Sequence, residues 1–284
     1  MCRVKGKPKE NCAFFKIMAI LLVLLCSFFT GCGQQKEETA AKTAAAAAKV
    51  IVVGIDSYPP FSFSDDNGKP MGIDIELARE AFGRMGYAVR FERIEWGKKK
   101  SLLSEGKIDC IWACFSMQGR EQEYKWAGPY LVSRQVVAVT QESNIRSFAD
   151  LENKIVAVRC ATKAAEIFTS GEDPRIPKLA EVYSVENRDL LYAMLGKGYV
   201  DAIAGHISSI KQYNKDFTMN YRVLDEPLVI TGVGVAFDKD DERGLDKELQ
   251  RVLQDMREDG TIRKVAAKYL DDVDSYLEVD KVAK

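Results

Sequence analysis

From residue 50 onward, the sequence alternates short apolar runs rich in β-branched residues with amphipathic segments of helical period. The first run, residues 50–55, is unbroken, as expected of a strand that is buried on both faces. The first amphipathic segment follows it, with Asp74 as its predicted N-cap and Gly86 at its end. This alternation predicts an α/β fold with largely parallel sheets.

The alternation continues to the C-terminal part of the chain. Strands are predicted at residues 50–55, 87–94, 108–113, 135–140, 154–158, 200–204 and 232–237. Helices are predicted at residues 75–85, 96–105, 162–168, 187–195, 207–213, 244–257 and 261–270. About 235 residues of patterned sequence suit two compact lobes better than one typical domain.

Charge and composition narrow the class of protein. The chain has 41 Lys and Arg against 42 Asp and Glu, which argues against a nucleic-acid-binding protein. Hydrophobic residues at 46% and charged residues at 29% argue against wholesale disorder and against a multi-pass membrane protein. With a single histidine, the chain cannot form a metal site that needs two.

Common enzyme signatures do not occur in the sequence. There is no P-loop, no dinucleotide fingerprint, and no HExxH, CxxC or GxSxG motif. A dyad of Cys160 with His206 has no support from the spacing. We therefore predict no catalytic residue, no metal and no cofactor.

The N-terminal residues have the pattern of an export signal. Five basic residues precede an apolar run at residues 17–30, which is too short to span a bilayer comfortably. Cys32 follows at the expected cut, as in a bacterial lipobox. We predict that residues 1–31 are a lipoprotein signal peptide, that Cys32 is lipidated, and that residues 32–48 form a flexible, lipid-anchored linker. A short uncleaved anchor is the alternative, and both place the rest of the chain outside the cytoplasm.

Three cysteines remain after the predicted cut, namely Cys110, Cys114 and Cys160. An odd number cannot pair completely. Cys110 and Cys114 lie in or just after an apolar run, so buried thiols are favoured over a disulfide between them.

Seven short segments, in fixed order, carry a resemblance to a known family. They are residues 55–63 (IDSYPPFSF), 72–78 (GIDIELA), Trp96 with 106–109 (GKID), Arg120 with 128–130 (GPY), 148–151 (FADL), 198–203 (GYVDAI) and 259–262 (DGTI). Together they resemble the polar amino-acid-binding family of bacterial extracellular solute-binding proteins, the capture subunits of ABC importers. The resemblance covers about residues 50–271.

The resemblance implies a two-lobed, periplasmic-binding-protein-like α/β fold of type II with two hinge strands and the ligand in the cleft. Lobe one would comprise residues 49–137 plus 233–284, and lobe two residues 138–232. The crossing strands would lie near residues 136–140 and 229–233. Such a protein is expected to work as a monomer that closes on its ligand.

The resemblance also implies which residues bind a carboxylate. Arg120 matches the arginine that holds the ligand's α-carboxylate through two parallel charge-assisted hydrogen bonds. The alternative is a surface arginine paired with Glu121 or Glu123. Thr162 and Lys163 match a helix start that supplies backbone N–H groups and a hydroxyl to the same carboxylate.

Aromatic residues are expected around the ligand. Tyr58 and Trp96 occupy positions where the family has aromatic walls, with core packing as the alternative. Trp112 and Phe115 lie in the loop that would carry the carboxylate-binding arginine, and either could face the cleft or the core. Phe115 stands where the family commonly has a hydroxyl residue, so that hydrogen bond is lost or comes from the backbone or Ser116.

Three polar residues have open roles. Asp56 matches an acidic position that accepts from a ligand amide or ammonium, or it stabilises the turn that follows it. Arg159 is placed to balance an acid or to be solvated. His206 lies five residues after Asp201, where the family usually has the aspartate that binds the α-ammonium. An imidazole titrating near its usual pKa of about 6.5 would make binding depend on pH, and a core or surface histidine is the alternative.

These residues predict extracellular capture of an amino acid or related small carboxylate and its delivery to the membrane subunits of an ABC importer. The alternatives on the same fold are a cyclohexadienyl-dehydratase-like enzyme, which needs acid–base groups in the cleft, and a ligand-sensing domain. His206 is the acid–base candidate for the enzyme.

Overall fold

The computed structural model describes residues 49–282, so the predicted signal peptide, Cys32 and the linker lie outside the described residues. Within residues 49–282 there are eleven strands, β1–β11: Val50–Ile55, Phe63–Ser64, Pro70–Met71, Ala88–Arg93, Cys110–Ser116, Tyr124–Thr140, Ile155–Arg159, Glu181–Val185, Ala202–His206, Tyr221–Val223 and Val229–Asp238. The same residues contain eight α-helices, α1–α8: Ile73–Arg84, Lys99–Ser104, Lys163–Ser170, Arg188–Gly196, Ile207–Asp216, Leu245–Glu258, Thr261–Ala266 and Asp274–Leu277. Short 3₁₀ turns lie at Trp96–Lys98, Ala149–Leu151 and Val279–Lys281.

Nine of the described strands form one sheet. Its order is β4–β1–β5–β11–β6–β9–β7–β8, and β10 pairs with β6. The strands β4, β1 and β5 run parallel on one side, and β9, β7 and β8 run parallel on the other. The contacts of β6 and β11 are antiparallel. The predicted α/β architecture is confirmed, and its parallel pairing holds for the two flanks and not for the centre.

The central strands are longer than the sequence pattern predicts. The strand β6 has 17 residues and pairs with β11 from Gln135 opposite Val229 to Tyr124 opposite Asp238. The sequence pattern predicted the start of this strand at Gln135, whereas the strand begins at Tyr124. In the structure, Pro129 lies at a shift of register in the β6–β11 pair, and such irregularities tolerate a residue that has no N–H to donate.

Buried apolar side chains form four clusters that separate along the chain. The buried members of two clusters come from residues 51–131 and 233–276. The buried members of the other two come from residues 136–228. The lobe boundaries stay a prediction. No helix within residues 49–282 combines the length and apolarity that a membrane span requires.

Two aspartates of the family-like segments support the parallel flanks. A carboxylate oxygen of Asp109 accepts a hydrogen bond from the Val52 N–H within β1 at 2.8 Å. Asp201 accepts from the Ile155 N–H, also at 2.8 Å, at the start of β7. Each carboxylate satisfies a backbone donor of a strand, so both residues serve the fold.

Asp74 is not the N-cap that the sequence predicted. The cap position of α1 is Gly72, and the Asp74 side chain turns into the core, where it is fully buried. One carboxylate oxygen accepts from the Tyr130 hydroxyl and the other from the Cys114 N–H, each at 2.7 Å. Burial away from water raises the pKa of Asp74 to about 7.

The cysteine prediction is confirmed. Cys110 and Cys114 are free, buried thiols, and Cys160 is a free, partly exposed one. Burial raises the pKa of Cys110 and of Cys114 well above the ordinary thiol value.

We predict that replacing Asp74 with Asn reduces the loss of stability between pH 5 and pH 8. In the protein without the substitution, the Asp74 carboxyl loses its proton near pH 4 when the chain is unfolded. When the chain is folded, the carboxyl retains its proton up to about pH 7. Stability therefore falls as pH rises through this window. A shift of roughly three pKa units corresponds to at most ~4 kcal/mol. The measurement is the free energy of unfolding in urea for both proteins at both pH values, and equal pH dependence of the two would contradict the prediction.

Candidate functional site

A cavity lies where the carboxyl ends of the parallel strands from the two flanks meet. Asp56 directly follows β1, and Ser116, Arg159 and His206 end β5, β7 and β9. The space open to the centre of a water molecule is about 50 Å³. An adjoining groove, of about 650 Å³, shares Asp56, Arg159 and Arg188 with this central cavity. Open α/β sheets commonly bind ligands outside the carboxyl ends of their strands.

Eight of the nine predicted ligand-binding residues line the central cavity. They are Asp56, Tyr58, Trp96, Phe115, Arg120, Thr162, Lys163 and His206. These residues lie far apart in the sequence, and the fold brings them together. Their contact with a ligand stays a prediction.

Trp112 does not line the cavity, which corrects the prediction that it binds ligand. It is completely buried, and its ring lies 6.1 Å from that of Phe82 and 5.6 Å from that of Tyr130. Alternate residues of β5 face opposite sides of the sheet, so Trp112 joins one core cluster and Phe115 the other.

Trp96 and Phe115 form an aromatic wall. Their rings meet edge to face with 5.1 Å between centroids. The Trp96 Nε1–H donates to the carbonyl of Ala161 at 3.0 Å, and the Lys99 ammonium lies 4.6 Å from the Trp96 ring. Burial lowers the pKa of Lys99 to about 8. The orientation of Trp96 is therefore fixed by contacts on its edge and on its face.

Arg120 is nine-tenths buried at the rim of the cavity. One guanidinium nitrogen lies 3.1 Å from a carboxylate oxygen of Glu166, and the group lies 5.5 Å from the centre of the Phe115 ring. Lys163 pairs with the other oxygen of Glu166. The alternative considered from the sequence was a surface pair with a neighbouring glutamate of the same loop. In the structure, Arg120 pairs instead with Glu166 of α3.

Thr162 begins α3 as its N-cap. Its hydroxyl oxygen accepts from the Ala165 N–H at 3.2 Å, and its hydroxyl donates to the Arg159 carbonyl at 2.7 Å. The one hydroxyl proton is therefore committed to the backbone. The start of the helix itself favours an anion. Its first N–H groups are free to donate hydrogen bonds, and the helix dipole places partial positive charge at this end.

Asp56 is paired with a cation across the cavity. Both terminal nitrogens of Arg159 donate to its carboxylate, and the Arg159 Nε–H donates to the Glu186 carbonyl at 3.0 Å. Asp56 also accepts from the Ser57 N–H at 2.8 Å, as the turn interpretation expected. The sequence left open whether Arg159 pairs with an acidic residue or is solvated. In the structure it pairs with Asp56.

Arg188 is a charged residue of the cavity that the sequence analysis missed. Its side chain is 12% exposed, and one terminal nitrogen lies 3.9 Å from Asp56. Its guanidinium carbon lies 4.0 Å from the centre of the Tyr58 ring. Arg188 is the first residue of α4, with Asn187 as N-cap. A cation opposes the helix dipole at this position, and that mismatch is the sequence signal that could have identified it.

His206 is a buried, neutral histidine of the cavity wall. Gln135 donates its side-chain N–H to Nε2 at 3.1 Å, so Nδ1 carries the proton and donates to the Ser133 hydroxyl at 2.6 Å. Burial away from water and the positive charge of Arg188 lower the pKa of His206 to about 3. This buried position agrees with the alternative of a core histidine, and the lowered pKa argues against a titration near pH 6.5 in the folded protein.

Residues 49–282 contain no group of three or more His, Cys, Asp or Glu side chains that could hold a metal ion.

Sequence comparison finds similarity over most of the described chain. A sequence model for the bacterial extracellular solute-binding proteins of family 3 matches residues 51–272. The histidine-binding periplasmic protein of Salmonella typhimurium is 30% identical over 231 residues, an alignment that covers 78% of this chain and 87% of that protein.

The fold is similar to that of many solved structures, including the following two. The substrate-binding protein of an amino acid ABC transporter is 26% identical with a TM-score of 0.70, covering 78% of this chain and 99% of that one. The ancestral amino-acid-binding protein AncCDT-1, a precursor of cyclohexadienyl dehydratase, is 27% identical with a TM-score of 0.69, covering 78% and 95%.

We predict that the imidazole of His206 does not titrate between pH 5 and pH 8 in the folded protein. It is the one histidine of the chain, so its ring signals in an NMR pH titration need no assignment once any affinity tag is removed. The low pKa keeps the ring neutral throughout this range. In urea the same signals should titrate near pH 6.5, which is the internal control. A midpoint between pH 5.5 and 7.5 in the folded protein would contradict the prediction.

Proposed function

Because the chain belongs to the bacterial extracellular solute-binding proteins of family 3, we propose that it captures an amino acid or a related small carboxylate and delivers it to the membrane subunits of an ABC importer. Its fold is the predicted two-lobed, periplasmic-binding-protein-like α/β fold of type II with two hinge strands. The histidine-binding relative is a periplasmic protein, and one of the similar structures is the substrate-binding protein of an amino acid ABC transporter.

The observation that carries the proposal is the position of Arg120. A guanidinium that is 11% exposed, beside the Phe115 ring and at the edge of a small cavity, is suited to bind a carboxylate with two parallel hydrogen bonds. Its present partner, Glu166, is 45% exposed and is shared with Lys163. A ligand carboxylate would compete for Arg120, and Lys163 would keep Glu166 paired.

Closure of two lobes would bury the ligand. We propose lobe one as residues 49–137 plus 233–284 and lobe two as residues 138–232, in a protein that works as a monomer. Two contacts join the proposed lobes at the cavity, because Trp96 binds Ala161 and Arg120 binds Glu166. In a closed form, these contacts would exclude water from the ligand.

The alternative function is that of an enzyme on the same fold. The similar structure AncCDT-1 supports considering it, because AncCDT-1 is a precursor of cyclohexadienyl dehydratase. Dehydration needs a group in the cavity that exchanges a proton near neutral pH. His206 has a pKa of about 3 and both its nitrogens are hydrogen-bonded, so it is a poor general acid. We therefore propose a binding protein, and a turnover assay with prephenate separates the two functions.

We further propose that the protein is a lipoprotein held at the outer side of the cell membrane. The basic start, the apolar run at residues 17–30 and Cys32 support removal of residues 1–31 and lipidation of Cys32. Residues 32–48 would then tether the folded part to the membrane.

We predict that Arg120→Ala weakens ligand binding at least 30-fold without loss of the fold. The ligand is first identified by the rise in melting temperature with a panel of the twenty amino acids and short mono- and dicarboxylates. Removing one partner of a desolvated charge pair costs ~2–5 kcal/mol, which is roughly 30-fold or more in affinity. Calorimetry with that ligand measures the loss.

Arg90→Ala is the matched control, because Arg90 is 57% exposed and pairs with Glu92 on the surface. It should bind within twofold of the native protein. An Arg120→Ala protein that is folded and binds as the native one does would remove Arg120 as the carboxylate anchor.

We predict that Cys32→Ser releases the protein from the membrane fraction of the cells that produce it, because the serine variant has no thiol for the lipid. Fractionation followed by immunoblotting is the measurement. Cys26→Ser, within the predicted signal peptide, should leave the protein in the membrane fraction. Equal membrane retention of Cys32→Ser and the native protein would argue for an uncleaved anchor.

A further inference from the structure

The central cavity has an excess of positive charge. Among the described residues that line it, Arg120, Arg159, Lys163 and Arg188 are cations, and Asp56 is the one carboxylate. Glu166 adds a second carboxylate at the rim through its pairs with Arg120 and Lys163. Two carboxylates therefore face four cations.

The excess is concentrated at Arg188. Asp56 already accepts two hydrogen bonds from Arg159, and it lies 3.9 Å from the nearest nitrogen of Arg188. The Nε–H of Arg188 is buried and has no hydrogen-bond partner within the described part of the chain. Burying a guanidinium costs free energy unless the group is paired with an anion and fully hydrogen-bonded. The pairing of Arg188 is therefore incomplete, and an anionic ligand could complete it.

The part of the cavity around His206, where an α-ammonium would be expected to bind, has no carboxylate among the described lining residues. His206 is neutral and both its ring nitrogens bind uncharged side chains. The nearby acceptor Oε1 of Gln135, which is buried and has no hydrogen-bond partner among residues 49–282, is uncharged. Arg188 lies close enough to His206 to disfavour a positive charge on the ring, so it would also oppose a ligand cation there.

Two guanidinium groups of the cavity lie beside different aromatic rings. Arg120 is next to Phe115, and Arg188 lies on the face of Tyr58. The cavity between the walls is small, with about 50 Å³ open to the centre of a water molecule, which favours a compact ligand. A compact molecule with an anionic group at each end would satisfy both.

On the basis of the proposed function, we propose that the ligand is a compact molecule of net negative charge with two anionic groups, one at Arg120 and the other at Arg188. Short dicarboxylates and acidic amino acids have this chemistry. Neutral and basic amino acids do not, although a histidine-binding protein is among the relatives.

The first test compares ligands that differ in one anionic group. Glutamate with glutamine, aspartate with asparagine, and succinate with succinamate are titrated into the native protein by calorimetry, with arginine as the cationic ligand. At least one carboxylate ligand should bind tenfold or more tightly than its amide partner. Arginine should bind more weakly than any carboxylate ligand that binds.

The second test changes Arg188. For the carboxylate–amide pair that binds best, Arg188→Gln should reduce the affinity ratio to about threefold or less, and Arg188→Lys should keep most of the preference. Arg90→Gln, a surface change of the same chemistry, should leave the ratio unaltered. If Arg188→Gln does not fold, the native protein and Arg188→Lys still decide the outcome.

The outcomes separate this inference from the proposed function. If a neutral or basic amino acid binds most tightly and Arg120→Ala abolishes that binding, the proposed function stands and the second anionic group is wrong. If folded Arg188→Gln keeps the full carboxylate preference, Arg188 does not hold the second group and the inference is overturned. If no amino acid or small carboxylate binds, both proposals fail.

Discussion

The ion pair between Asp56 and Arg159 is the interaction on which the rest of the site depends. It joins the residue after β1 to the last residue of β7, 103 positions apart in the chain, and both side chains are almost completely buried. Two buried charges are tolerated only when they are paired and hydrogen-bonded, and here the pair also binds backbone groups on both sides. The carboxyl ends of the two parallel flanks therefore meet at a fixed place, with the cavity between them.

The pair also decides the character of the cavity. An unpaired Asp56 would give the cavity an anionic acceptor for an ammonium or amide. Because Arg159 occupies it, the other charged side chains that line the cavity are the cations Arg120, Lys163 and Arg188, beside the neutral ring of His206. The lining of the cavity is therefore predominantly cationic.

The sequence was informative where one interaction dominates over a short stretch. The β-branched run of β1 has the bounds that its pattern predicts, and most helices begin within one or two residues of their predicted start. The prediction failed where distant contacts compete with local preference. The predicted strand begins at Gln135, whereas β6 begins at Tyr124 and includes Gly128-Pro129, because the neighbouring β11 pairs with it on both sides of the irregularity. Aspartate is a favoured N-cap residue, yet Asp74 accepts hydrogen bonds from Tyr130 and Cys114 in the core.

The sequence by itself determined the α/β class, the family and eight of the residues that line the cavity, because apolar periodicity and short ordered segments are local properties. Only the tertiary structure decided how these residues act. It placed Trp112 in the core through the alternation of β5, paired Asp56 with Arg159, brought Arg188 onto Tyr58, and removed water from His206. Charge pairing and pKa depend on distances and desolvation between residues that lie far apart in the sequence, and no local pattern contains those quantities.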